Sequence, residues 1–131
     1  MKTYFLLAFS ILSSISLFAQ ADVKGPFMSF DQLSHDFGNV MEGDVVSYTF
    51  TYKNTGTDTL RIDQIASSCG CTVPSNYDHV VAPGKTSKIE VQFNSSNKSG
   101  ITNKTLTILS NAVTKEPAIL LSIRANVIPK K

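Results

Sequence analysis

The sequence has little of most things that announce a function. Only two of its 131 residues are cysteine, Cys69 and Cys71, so it is not a disulfide-dense miniprotein stapled by several bridges. It has no excess of either charge, with 12 Lys and Arg against 10 Asp and Glu. That balance excludes a basic nucleic-acid binder and an acidic disordered tail. No window of about eleven residues carries a convincing 3.6-residue apolar period, so no amphipathic helix is expected. The common catalytic signatures are missing: there is no G-x-S-x-G, no H-E-x-x-H, no P-loop and no Rossmann fingerprint. The acids are scattered, without a helix-spaced acid/base pair. A chain of 131 residues also leaves little room for a large multidomain enzyme.

One long apolar run is present, and it lies at the start. Lys2 precedes Tyr4–Phe9, Ile11-Leu12 and Ile15–Ala19. A basic start, an apolar run and a small-residue exit are the parts of a secretory signal peptide. Ser10, Ser13, Ser14 and Ser16 interrupt the run, and it is shorter than the roughly 20 apolar residues of a membrane-spanning helix. Residues 1–21 are therefore expected to be cleaved, after Ala21 in Ala19-Gln20-Ala21 or after Ala19. The alternative is an uncleaved signal anchor. No later segment is long and apolar enough to be a retained membrane span. Export would place residues 22–131 in the periplasm, at the cell surface or outside, where disulfides persist. That remainder fits one domain, large enough to bury a core without staples.

Beyond residue 26 the pattern has period two. Val46, Tyr48, Phe50 and Tyr52 alternate with Ser47, Thr49, Thr51 and Lys53. Leu60 and Ile62 alternate with Arg61 and Asp63, and Ile89, Val91 and Phe93 with Lys88, Glu90 and Gln92. Leu106 and Ile108, then Ile119 through Val127, repeat the scheme. Successive strand side chains point to opposite faces, so each run reads as a half-buried strand. Turn formers separate the runs at Glu42-Gly43-Asp44, Asn54–Asp58, Ala82–Lys85, Asn94–Gly100 and Ser110-Asn111. Strands without interleaved helices predict an all-β sandwich. Pro26–Phe30 is expected to begin it, with Phe30, Leu33 and Phe37 capping its core.

Several short segments occur in a specific order. His35-Asp36-Phe37-Gly38 precedes Glu42-Gly43 and the strand from Val46; then come Asn54-Thr55-Gly56, Ser68-Cys69-Gly70-Cys71-Thr72, Ala82-Pro83-Gly84-Lys85 and Val91-Gln92-Phe93-Asn94. The ordered set resembles the bacterial domain of unknown function 1573 family, common in secreted proteins of Bacteroidetes-type bacteria. The resemblance covers roughly residues 27–128, nearly all of the chain beyond the expected leader. It implies an immunoglobulin-like antiparallel β-sandwich of about seven strands, similar to domains of ciliary and centrosomal proteins that act as assembly modules. It implies no established reaction and no cofactor.

Cys69-Gly70-Cys71 is the one site-like feature. In an ideal strand, residues two apart lie about 6–7 Å from each other on one side. A disulfide needs Cβ atoms about 3.5–4.5 Å apart. Pairing therefore needs a bend, which Gly70 would permit, and so short a ring would be strained and easier to reduce. Three readings stand: a local disulfide pinning a strand end, two reduced thiols used in packing, or a functional pair that is redox-active or holds Cu(I). Structural zinc needs four ligands. His35 and His79 are the only imidazoles; His35 is expected to support a turn with Asp36, and nothing in the sequence brings either to the cysteines.

Other sites are weaker. A Cys–His nucleophile couple is the one enzymatic arrangement left, and a small sandwich with short loops offers it little cleft; no enzyme is expected. Asp58 and Asp63 flank a strand without a dense calcium loop. Asn94-Ser95-Ser96, Asn97-Lys98-Ser99 and Asn103-Lys104-Thr105 match the N-glycosylation triplet but read as turn chemistry. Asp58-Thr59-Leu60 matches a three-residue O-glycosylation motif at Thr59, a length at which chance matches are common. The expected function is a non-enzymatic envelope module that binds another protein or a glycan through strand edges or loops, the Cys69–Pro74 loop and the Pro83-Gly84 turn being the nearest candidates. The alternative is a thiol-redox or copper protein built on Cys69 and Cys71.

Overall fold

A computed structural model describes residues 24–114 and 118–130. The expected leader, residues 1–21 with its cleavage points, lies outside the described residues. Among these the chain forms nine strands and no helix: β1 (Met28–Phe30), β2 (Ser34–Met41), β3 (Val45–Asn54), β4 (Leu60–Ser67), β5 (Thr72–Ser75), β6 (Val80–Val81), β7 (Thr86–Asn94), β8 (Gly100–Ser110) and β9 (Ile119–Ile128). They make two sheets, in the orders β1-β3-β7-β5 and β2-β9-β8-β4-β6. Every connection except β8–β9 carries the chain from one sheet to the other. This is an immunoglobulin-like β-sandwich.

The period-two runs form its inner faces. In β3, Phe50 and Tyr52 are buried while Ser47, Thr49 and Lys53 are exposed. In β7, Ile89, Val91 and Phe93 are fully buried, and β3 pairs with β7 over nine residues, from Val45↔Asn94 to Lys53↔Thr86. Leu106 and Ile108 of β8 and Leu121, Ile123, Ala125 and Val127 of β9 close the core from the second sheet. Burying one large aliphatic or aromatic side chain contributes about 1.5–3 kcal/mol, so this shared core is the main favourable contribution to the fold.

Three expectations change. The strands number nine rather than about seven, because the first is split between the sheets and the short β5 and β6 divide the opposite edge. The sandwich is antiparallel except where β2 runs parallel to β9. Leu33 does not cap the core: it is 52% exposed, lying in the switch between β1 and β2, while Phe30 and Phe37 do pack against it. The alternation is lost in β2 because the register shifts between Asp36 and Asn39, around Gly38 with a φ of 69°.

Candidate functional site

The Cys69-Gly70-Cys71 turn is the crossover from β4 in the second sheet to β5 in the first. The structure joins the two sulfurs in a disulfide with Cα atoms 5.3 Å apart, closer than the spacing of an extended strand. The backbone turns to achieve this, with the Thr72 N–H donating to the Cys69 carbonyl at 3.3 Å. The bend uses no conformation reserved for glycine. Gly70 is not among the residues with positive φ, and a Cβ built on it meets nothing within 4 Å. Both cysteines are half-buried and Gly70 is exposed.

Bonds that do not involve sulfur hold the turn on both sides. The Ser68 N–H donates to the Thr105 carbonyl at 2.9 Å, the Thr105 N–H to Ser68 Oγ at 3.1 Å, and Ser67 Oγ to the Cys69 carbonyl at 2.7 Å. The Asn94 N–H donates to the Cys71 carbonyl at 2.8 Å, beside the β5–β7 pairs from Thr72↔Phe93 to Ser75↔Glu90. The sulfurs differ in surroundings. The Cys71 N–H donates to Cys69 Sγ at 3.0 Å, whereas Cys71 Sγ has only the Thr72 hydroxyl at 3.8 Å.

No histidine joins them. His79 Nδ1 lies 2.9 Å from the Ile62 carbonyl, and its ring is 4.9 Å from Tyr77. His35 is not in a turn: it sits within β2 and stacks on Tyr48 of the facing sheet, with centroids 3.7 Å apart. Asp36 alone supports the local bend, its Oδ1 accepting from the Gly38 N–H at 2.8 Å; its pair with Arg124 is long, 3.8 Å, and solvent-exposed, so it stabilises little. Among the described residues no three His, Cys, Asp or Glu side chains come together as a metal site.

Several of the remaining motif residues have structural partners. Thr59 is half-buried at the entry to β4, its carbonyl accepting from Asn111 Nδ2 at 3.2 Å, and Leu60 is fully buried. Asp58 and Asp63 are exposed on the β3–β4 turn and on β4. Asn94 Oδ1 accepts from the Ser96 N–H at 3.0 Å, and Ser95 is fully buried, bonding the carbonyls of Met41 and Asp44.

Two features escape a reading by motif. The first is Asn54, which reads as a turn former and is instead a fully buried hub. Its Oδ1 accepts from the N–H groups of Phe27 (3.2 Å) and Gly56 (3.0 Å), and its Nδ2 donates to the carbonyls of Asp58 (2.9 Å) and Val81 (3.0 Å). Its own backbone bonds Gly84 and Lys85 of the Pro83-Gly84 turn. Gly56 must be glycine here: a Cβ would strike the Gly25 carbonyl oxygen and lie 2.6 Å from the Phe27 nitrogen. The second is an apolar cleft of about 260 Å³ between β1 and the start of β9, lined by Phe27, Phe30, Leu33, Val113 and Ile119. Phe27, Leu33 and Val113 are exposed there. They come from three segments, so no local spacing marks them.

One titration is displaced. Burial pushes the Tyr52 phenol above its usual range, and the Asp78 carboxylate adds to this, while Ser87 beside it partly offsets the shift. The Ser87 hydroxyl itself donates to Asp78 at 2.7 Å. The Tyr52 hydroxyl has no partner with hydrogen-bond geometry among the described residues.

The family model described as "Protein of unknown function (DUF1573)" matches residues 28–127. No curated protein matches. Among solved structures, a protein of unknown function from Porphyromonas gingivalis W83 is similar with a TM-score of 0.68 and 13% identity, over 82% of this chain and 50% of that one. The PapD-like domain 7 of human CEP192 is similar with a TM-score of 0.64 and 12% identity, over 79% of this chain and 87% of that domain. The VesB protease of Vibrio cholerae is similar with a TM-score of 0.61 and 17% identity, over 76% of this chain but 31% of the protease. The chain thus spans half or less of the first and third of these, and at such identities the likeness is one of fold.

Proposed function

The chain belongs to the DUF1573 family, and from that premise we propose that it is a non-enzymatic, immunoglobulin-like binding module of a bacterial cell envelope, with a protein as its partner. The observation that carries this reading is the cleft beside β1, where Phe27, Leu33 and Val113 expose apolar surface from three separate segments. A concave patch of this kind, lined mainly by apolar side chains with few polar groups, suits an apolar side chain of a partner better than a glycan. The PapD-like domain of CEP192 is one domain of its protein, and this chain matches most of that domain; that scale supports a module rather than a self-contained catalyst. Residues 1–21 support export to the periplasm, cell surface or medium.

The test is crosslinking in intact envelopes of cells producing the chain. The expected result is a defined adduct with the native chain that is lost in Leu33→Glu, a change at an exposed position that leaves folding intact. The same adduct at the same yield from Leu33→Glu would overturn the reading.

A second reading has its own observation. The Cys69–Cys71 bridge is half-buried on an exposed turn anchored independently of sulfur, which supports thiol-redox chemistry. Two thiolates there could also take Cu(I). Thiol titration of the native chain before and after mild reduction tests it: thiols that appear only on denaturation would remove it.

A further inference from the structure

We propose that the Cys69–Cys71 bridge is a thiol–disulfide exchange site at which an accessible cysteine thiolate bonds to Cys71 Sγ and expels Cys69. This rests on the thiol-redox reading above and adds to it the direction of attack and the class of substrate.

Three observations carry it. First, the bridge closes a ring of only three residues, so it restrains the unfolded chain far less than a long-range bridge would, and neither cysteine is among the buried core side chains. Second, the turn stays in place when the bond opens. Ser68, Asn94 and Thr72 hold it through backbone bonds to Thr105, Cys71 and Cys69, so both sulfurs remain adjacent and closure is reversible at high effective concentration. Third, Gly70 is demanded neither by its φ nor by a neighbour. An exposed glycine with no structural reason leaves room for another backbone to approach.

The direction follows from hydrogen bonding. A donor to a sulfur stabilises its thiolate and makes it the better leaving group. The Cys71 N–H makes such a bond to Cys69 Sγ at 3.0 Å; Cys71 Sγ has no comparable donor, the Thr72 hydroxyl being 3.8 Å away. The incoming thiolate forms one S–S bond to Cys71 as the Cys69–Cys71 bond breaks. The electron pair leaves on Cys69, which then takes a proton from solvent. Where the substrate carries a second thiol, that thiolate attacks the substrate sulfur of the mixed disulfide and releases Cys71. The substrate ends oxidised by two electrons and the bridge ends as two thiols.

The experiment uses the oxidised full chain with reduced glutathione, quenched in acid at short times, alkylated and mapped by mass spectrometry. The expected product carries glutathione on Cys71 and the alkyl label on Cys69, roughly tenfold over the reverse, the weight of one hydrogen bond to a charged sulfur. Gly70→Val should form this adduct several-fold more slowly while unfolding at the same denaturant concentration. A single-cysteine extended peptide reacting faster than glutathione would support the proposal with polypeptide thiols as substrate; equal rates would support it with small thiols. Glutathione found mainly on Cys69 would overturn the direction and spare the redox reading. Reaction only after denaturation would overturn both.

Discussion

The two ends of β4 carry turns that each contain a glycine and are opposite in character. At its start, Asn54-Thr55-Gly56 is welded into the fold. Asn54 satisfies four backbone groups from three different segments, and Gly56 lies against the Gly25–Phe27 backbone so closely that no side chain fits. At its end, Cys69-Gly70-Cys71 touches the fold through its flanks and through Cys71, which packs against the core, and its glycine meets nothing. The first turn is full because it joins three segments at the end of the sandwich. The second is open because it only steps from one sheet edge to the next. A glycine in a turn can thus record a steric demand or the lack of one, and only the neighbours tell them apart.

The contrast between the two turns is greatest at Asn54. Asn54→Ala would strand buried donors and acceptors and is expected to lower the unfolding free energy by on the order of 4 kcal/mol. Gly56→Ala is expected to lower it by about 3 kcal/mol, since backbone rather than a flexible side chain must move. Urea denaturation checks both, and wild-type midpoints would dissolve the contrast. Removing the bridge with Cys69→Ser and Cys71→Ser together should cost about 1.6 kcal/mol on the loop-closure model, against about 3 for a fifteen-residue loop, with the β-sheet circular dichroism signal retained. Gly70→Ala should stay within about 0.5 kcal/mol of wild type; a larger loss would mean that the second turn is as constrained as the first.

A last prediction concerns Tyr52, two residues before the hub, and its effect is nil at neutral pH. Its folded pKa is raised above the unfolded 10.0. Above that pH the unfolded chain binds fewer protons than the folded one, so stability falls as pH rises. Denaturation at pH 8 and 11 should show the loss, and Tyr52→Phe should reduce it.

The inner faces were legible in the sequence because strand geometry writes them as alternation: Phe50, Tyr52, Ile89, Val91, Phe93 and Leu121 are where the period puts them. The strand count was not. Splitting the first strand depends on how β2 meets β9, a pairing far apart in sequence, and the shift near Gly38 erases the period there. His35 reads as a turn residue beside Asp36-Phe37-Gly38, yet its partner Tyr48 belongs to the other sheet. Cys69 and Cys71 were visible as a pair, but whether Gly70 was needed depended on the space around it, which spacing does not encode. Asn54 shows the same limit: a turn signal identifies the residue type, and only the fold assigns it four partners.

The parallel run of β2 along β9 has a mechanical consequence. Six register pairs, from Ser34↔Ser122 to Met41↔Ile128, join these strands. Because the strands point the same way, tension applied before β2 and after β9 pulls them in opposite directions along their length. All the rungs are then loaded together in shear, instead of opening one after another like a zipper. A module pulled along that line would resist extension until the whole ladder slipped at once, while the three-residue β1 yielded first as a short slack.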